Sequence, residues 1–174
     1  MATWNIDSSH SSAQFSIRHL MITNVRGEFS SVTGTVEYDP ASPASAKISA
    51  SIDVATIDTR EAQRDTHLKS ADFFDVEKFP KITFESTEIV KHGDHLHVKG
   101  NLTMHGVTKA IDLEVDGPTK EEKDPWGNTR IGASASAKID RRDWGLNWNS
   151  AIESGGVLVG HDVKLTLDVS LVRK

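Results

Sequence analysis

The sequence predicts an all-β protein, an eight-stranded antiparallel β-barrel with one short helix near its mouth. Apolar and polar residues alternate with a period of two through most of the chain, the pattern of strands with one buried and one wet face. Loop and turn signals separate these runs, and only one stretch, Arg64 to Phe84, reads differently. One-sided strands make an antiparallel sheet. About eight of them, with no second layer of helices, close into a barrel and so remove the sheet edges. At 174 residues the chain forms a single domain over 1–174, long enough to bury a sizeable core.

The strands follow in order. Phe15, Ile17 and His19 share one face, with Gln14, Ser16 and Arg18 on the other. Val32, Gly34, Val36 and Tyr38 form the next apolar set, and Asp39-Pro40 to Pro43 is a loop. Ile48, Ala50, Ile52 and Val54 follow. The segment from Ile82 to Ile89 leads into Gly93-Asp94, a two-residue hairpin turn of the kind that begins with Gly. Leu96, Val98, Gly100, Leu102 and Met104 return, and Ile111, Leu113 and Val115 continue. Gly117 to Asn128 is a charged loop, and the chain closes on Val163, Leu165, Leu167, Val169 and Leu171.

That hairpin contains a conflict of register. If His92 and His95 flank the turn, paired residue numbers sum to 187 and Ile89 faces Val98. The same register sets Glu85 against Leu102 and turns Ile82 and Phe84 to the wrong face. A β-bulge around Ser86–Glu88 would return both apolar sets to one face.

The exception, Arg64 to Phe84, reads as a helix over about 59–71 followed by an aromatic step. Asp58 with Glu61 three residues later has the spacing of a capping box, and Leu68 and Ala71 are the positions to pack inward beside Phe74. Pro80 ends the helical tendency. A lone helix followed by Phe73, Phe74 and Phe79 needs a surface to cover, and the open mouth of a barrel supplies one.

Composition excludes several classes. The net charge of −5 is mixed along the chain, without the basic stripe of a nucleic-acid footprint. No cysteine is present, so thiol catalysis, disulfides and zinc–thiolate sites are out. No run approaches the roughly 18 apolar residues of an integral membrane segment. The first residues lack the basic and apolar regions of an export signal, which as written reads as cytoplasmic; a periplasmic or secreted protein without its leader would read the same. No nucleophile elbow and no glycine-rich phosphate loop occurs, so the expectation is no enzyme. His92, His95 and His97 cluster on the polar side of a hairpin with no carboxylate placed as an obvious further ligand, and the expectation is no metal and no cofactor.

The chain resembles the YceI-like family, lipocalin-like polyisoprenoid-binding proteins. The resemblance rests on Ser12 to Leu20, Gly27-Glu28-Phe29, Arg64 to Phe84, Gly100 to Lys109 and Ile139 to Leu146, in that order. It implies a lipocalin-like barrel around a polyprenyl chain or quinone tail, for transport, storage or protection, and a homodimer. Two positions depart from the family's pattern, Trp144 where Phe is more usual and Asp140 where Asn is, which bears on pocket width or polarity near the mouth.

The expected lumen set is Phe15, Ile17, Val36, Ile52, Phe84, Leu102, Met104, Ile111, Leu113, Leu167 and Val169, with Phe73 and Phe74 as plugs and Trp144 near the mouth. His19, His67, Arg18 and Arg142 are the candidates for a polar head group. An alternating apolar face is equally the face of a filled core. Two other readings therefore stand beside lipid binding: a stress-related interaction module with no essential ligand, and an enzyme acting on the bound lipid.

Overall fold

A computed structural model describes residues 1–20, 22–150 and 158–174. Among these residues are twelve strands: β1 (Ala2–Ile6), β2 (Ser12–His19), β3 (Thr23–Phe29), β4 (Val32–Tyr38), β5 (Lys47–Asp53), β6 (Ile57–Asp58), β7 (Lys81–His92), β8 (His95–Met104), β9 (Val107–Asp116), β10 (Glu122–Lys123), β11 (Thr129–Asp140) and β12 (Val159–Arg173). They belong to one sheet, which closes because β11 pairs with β12 as well as with β9. Ring closure uses eight strands, β11, β9, β8, β7, β5, β4, β1 and β12. The barrel is antiparallel throughout, as expected.

Of the remaining strands, β10 is a two-residue pairing on β11, and β2, β3 and β6 arise because three long strands bend. β1 and β2 pair with successive parts of the same edge of β12, β4 and β3 continue alongside them, and β6 extends the line of β5. The break between β1 and β2 follows Asp7, whose carboxylate accepts the Ser9 N–H; the break between β5 and β6 follows Asp53, which accepts the Ala55 N–H. Asp39, Asp58, Asp124 and Asp140 do the same for the N–H two residues on. A short carboxylate that satisfies its own local backbone lets the chain turn without losing a hydrogen bond.

The bulge lies where the parity conflict required it. His92 pairs with His95 and Ile89 with Val98, the register shifts between Ser86 and Glu88, and beyond it Phe84 pairs with Leu102. Ile82, Phe84 and Ile89 are all buried. Ser86 uses its side chain at the bulge, accepting the Ile48 N–H at 2.9 Å.

The helix, α1, is shorter than the sequence reading and differently capped. It spans Ala62–Lys69, and its N-cap is Glu61, whose carboxylate accepts the Gln63 and Arg64 N–H groups. Asp58 is unavailable because it holds Arg60. Ala71 is exposed rather than inward, whereas Leu68 packs on the core.

The core has two parts. The larger surrounds the lumen. The smaller, Trp4, Ile131 and Leu171, closes the end opposite the helix.

Candidate ligand-binding cavity

The barrel encloses a cavity of about 390 Å³, within the range of small-ligand sites. Phe15, Ile17, Val36, Ile52, Phe84, Leu102, Met104, Ile111, Leu113, Leu167 and Val169 all line it, as do Phe73, Phe74, His19 and His67. The strand residues among them come together because successive side chains point to opposite faces, while His67 reaches the cavity from α1 and Phe73 and Phe74 from the turn after it.

Trp144 is a correction. It is 2 % exposed but does not border the cavity. Its indole Nε1 donates to the Leu102 carbonyl at 3.0 Å, and its own carbonyl oxygen lies 3.0 Å from His105 Nδ1. It holds the Arg141–Trp144 turn against β8 and the β8–β9 turn, behind the wall. Arg142 is likewise outside, pairing with Asp140 through Nη2 at 2.6 Å. That pairing lowers the Asp140 pKa to about 2 and raises that of Arg142.

Charge on the lining is confined to Arg18, Arg64 and Arg141, joined by His19 and His67; no Asp or Glu borders the cavity among the described residues. All five gather at the helix end. His19 pairs with Val159, the Arg141 Nε donates to the Gly160 carbonyl at 2.8 Å, and a Cβ on Gly160 would lie 3.0 Å from that of Arg18. Arg64 grips Thr59, through Nε to the hydroxyl and Nη2 to the carbonyl. At the other end of the ladder, Val36 and Leu171 reach the plug around Trp4.

α1 closes this end with rings. His67 stands edge-on to Phe73 and to Trp148, with centroids 5.1 and 4.8 Å away, and Phe73 and Trp148 are 5.3 Å apart. Phe74 meets Phe29 edge-on at 6.0 Å, and Phe29 meets Phe15 at 5.7 Å. A row of rings, Phe74, Phe29 and Phe15, therefore runs from the turn after α1 into the wall.

Arg64, Arg141 and Trp148 escaped the sequence reading. Arg141 had a signal: Ile131, Ala133, Ala135, Ala137 and Ile139 alternate inward, and Arg141 continues their parity. It is 3 % exposed, and its guanidinium donates to the carbonyls of Leu146, Trp148 and Gly160 at 2.6–2.9 Å. Burial pushes its pKa down. The carbonyl cage shows a positioning role, tying Leu146–Trp148 to the start of β12.

The histidine hairpin stays outside the barrel. β9 sets carboxylates beside it that spacing did not reveal: His97 lies 3.3 Å from Asp112 and 3.8 Å from Glu114, and His95 3.7 Å from Asp116. Among the described residues, no group of three or more metal-binding side chains is placed to hold an ion. No helix among them is long and apolar enough to cross a membrane.

Comparison with known proteins agrees with this fold. The YceI-like domain model matches residues 4–171. A UPF0312 protein of Staphylococcus aureus is 38 % identical over 166 residues, covering 94 % of each chain. The crystal structure of the Campylobacter jejuni YCEI protein is 30 % identical, with a TM-score of 0.74 over 90 % of each chain. A polyisoprenoid binding domain from Saccharophagus degradans has the same fold, with a TM-score of 0.73, full coverage of both chains and 14 % identity.

Proposed function

This chain belongs to the YceI-like family, and from that premise we propose that it holds one long isoprenoid lipid, a polyprenyl chain or quinone tail, inside the barrel without transforming it. The observation that carries the reading is the division of the lumen: apolar side chains along the walls and, among the described residues, every charged lining residue at the helix end. A slender hydrocarbon tail fits the first part and a polar head the second. That a domain of the same fold binds polyisoprenoid supports the choice of ligand.

Burying roughly 300 Å² of tail would yield on the order of 7 kcal/mol before the costs of association. No directional contact is needed, so selection would follow length and girth. Transport, storage or protection of the lipid are the roles such a container serves.

The test is to purify the protein under native conditions, record its mass by native mass spectrometry, and extract it with organic solvent. One lipid per barrel is expected, with species differing by whole isoprene units. Leu102→Trp, which fills the lumen, should purify empty. Recovery of no lipid, together with failure to take up an added polyprenol or menaquinone, would overturn the reading. Turnover of the bound lipid would replace it with the enzyme reading.

A further inference from the structure

The tip of the β2–β3 hairpin carries an exposed apolar step that the lumen does not use. Leu20 is 37 % exposed and Ile22 is 72 % exposed, two residues apart on one turn. Among the described residues, the other large exposed apolar ones, Met1, Val90 and Trp126, stand singly and far apart in the chain. Single exposed apolar residues are ordinary, whereas grouped ones mark a contact surface.

Three observations say what that surface meets. First, the tip stands beside the cavity mouth: His19 lines the cavity, and the Leu20 N–H donates at 2.8 Å to the carbonyl of Leu158, another lining residue. Second, Leu20 has a φ of +53°, a left-handed conformation that Gly or Asn adopts with less strain. A leucine there keeps an apolar side chain at the tip in spite of the backbone cost. Third, the hairpin from Ser16 to Gly27 contains no acidic residue, although the chain as a whole is acidic. Arg18 and Arg26 are exposed, and the pairs Ser16 with Arg26 and Arg18 with Asn24 set them on the same face.

We propose that this hairpin tip docks the barrel on an anionic lipid bilayer, Leu20 and Ile22 entering the interface, Arg26 facing the lipid head groups and Arg18, which also borders the cavity, meeting them at the rim of the mouth. An apolar tip flanked by cations matches a negatively charged interface in both of its properties. Docked in this way, the mouth would open toward the membrane, so that a lipid could pass between bilayer and lumen without crossing water. The docking does not depend on which lipid the lumen holds.

Co-sedimentation with vesicles tests it, comparing phosphatidylcholine alone with phosphatidylcholine containing phosphatidylglycerol. The protein should pellet with the anionic vesicles and be released as salt rises. The double change Leu20→Ser with Ile22→Ser should lower partition about tenfold or more. Arg18→Gln with Arg26→Gln should remove the preference for phosphatidylglycerol, at about fivefold per arginine. Because the chain has no cysteine, Ile22→Cys gives a single labelling site even if the double variant folds poorly. An environment-sensitive dye there should shift to the blue on anionic vesicles, and the same dye on Trp126→Cys should not. The proposal is overturned if the unaltered protein stays in the supernatant, if the serine variant pellets equally, or if the dye responds at Trp126 instead. Self-association through Ile22 without vesicle binding would also overturn it, making the tip a contact between two copies.

Discussion

His67 on the helix stands perpendicular to Trp148, ring centroids 4.8 Å apart, and this edge-to-face contact joins α1 to the chain that follows β11. Both rings border the cavity. The contact therefore latches two segments across the barrel's mouth, one built from a helix and one held in place by Arg141.

Opening the latch should speed ligand exchange. An aromatic pair is worth about 0.5–1.5 kcal/mol beyond the area it buries. Trp148→Ala should thus raise the off-rate of a bound fluorescent lipid by roughly two- to tenfold, with a smaller effect on thermal stability. Phe74→Ala, which breaks the contact with Phe29, should do the same. Unchanged off-rates in stopped-flow displacement would place the exit elsewhere.

Trp144 should behave as a structural residue. Trp144→Phe removes the donor to the Leu102 carbonyl and should cost about 1–2 kcal/mol. Trp144→Ala should cost about 3–5 kcal/mol through the cavity it leaves. Neither should change the length of lipid retained, because the indole does not border the lumen. Urea melts give the first quantity and mass spectrometry of extracted lipid the second.

Gly100 sets the width of the lumen at Phe84. A Cβ at Gly100 would overlap the Phe84 ring, and that ring lines the cavity. Gly100→Ala should push the ring into the lumen, cost about 1–3 kcal/mol and select a thinner or shorter ligand. Equal lipid content and equal stability would show that the ring finds room without entering the lumen.

Arg130 makes stability depend on acid pH. It bridges Asp7 and Asp124 at 2.7 Å each, and it is the first cause of both carboxylates lying well below their ordinary range. Ser9 and His10 add to the effect at Asp7, and Asn128 at Asp124. A depressed folded pKa stabilises above the unfolded value of about 4, and that stability is lost as pH falls from there toward the folded value. Arg130→Met should therefore lower Tm by several degrees near neutrality, and the gap should narrow steadily below about pH 4. Scanning calorimetry across pH checks it; a gap that widens in acid would be the wrong sign.

Much of the fold could be read from parity alone. Phe15 and Ile17, Leu102 and Met104, and Leu167 and Val169 face the lumen because successive side chains of a strand point to opposite sides. The bulge at Ser86–Glu88 was legible for the same reason, since Ile82 and Ile89 could not share a face without it. The helix was legible as an exception, but its cap was not: Asp58 and Glu61 both suit the role, and only the turn at Arg60 assigns Asp58 to its own backbone. Arg141 continued a visible inward alternation, yet a charged residue on an apolar face reads as an error until the carbonyls that cage it are seen.

By itself, then, the sequence determined the class of fold, the inward face of the strands with the clearest alternation and the hydrocarbon character of the lumen. All three follow from a period of two that each segment carries locally. The tertiary structure alone decided where strands bend into corners, which end of the barrel gathers Arg18, Arg64 and Arg141, and that Trp144 stands behind the wall while Trp148 stands in the mouth. Those outcomes depend on contacts between residues far apart in the chain, such as Trp144 with Leu102 or His67 with Trp148, and no local pattern encodes such a pair.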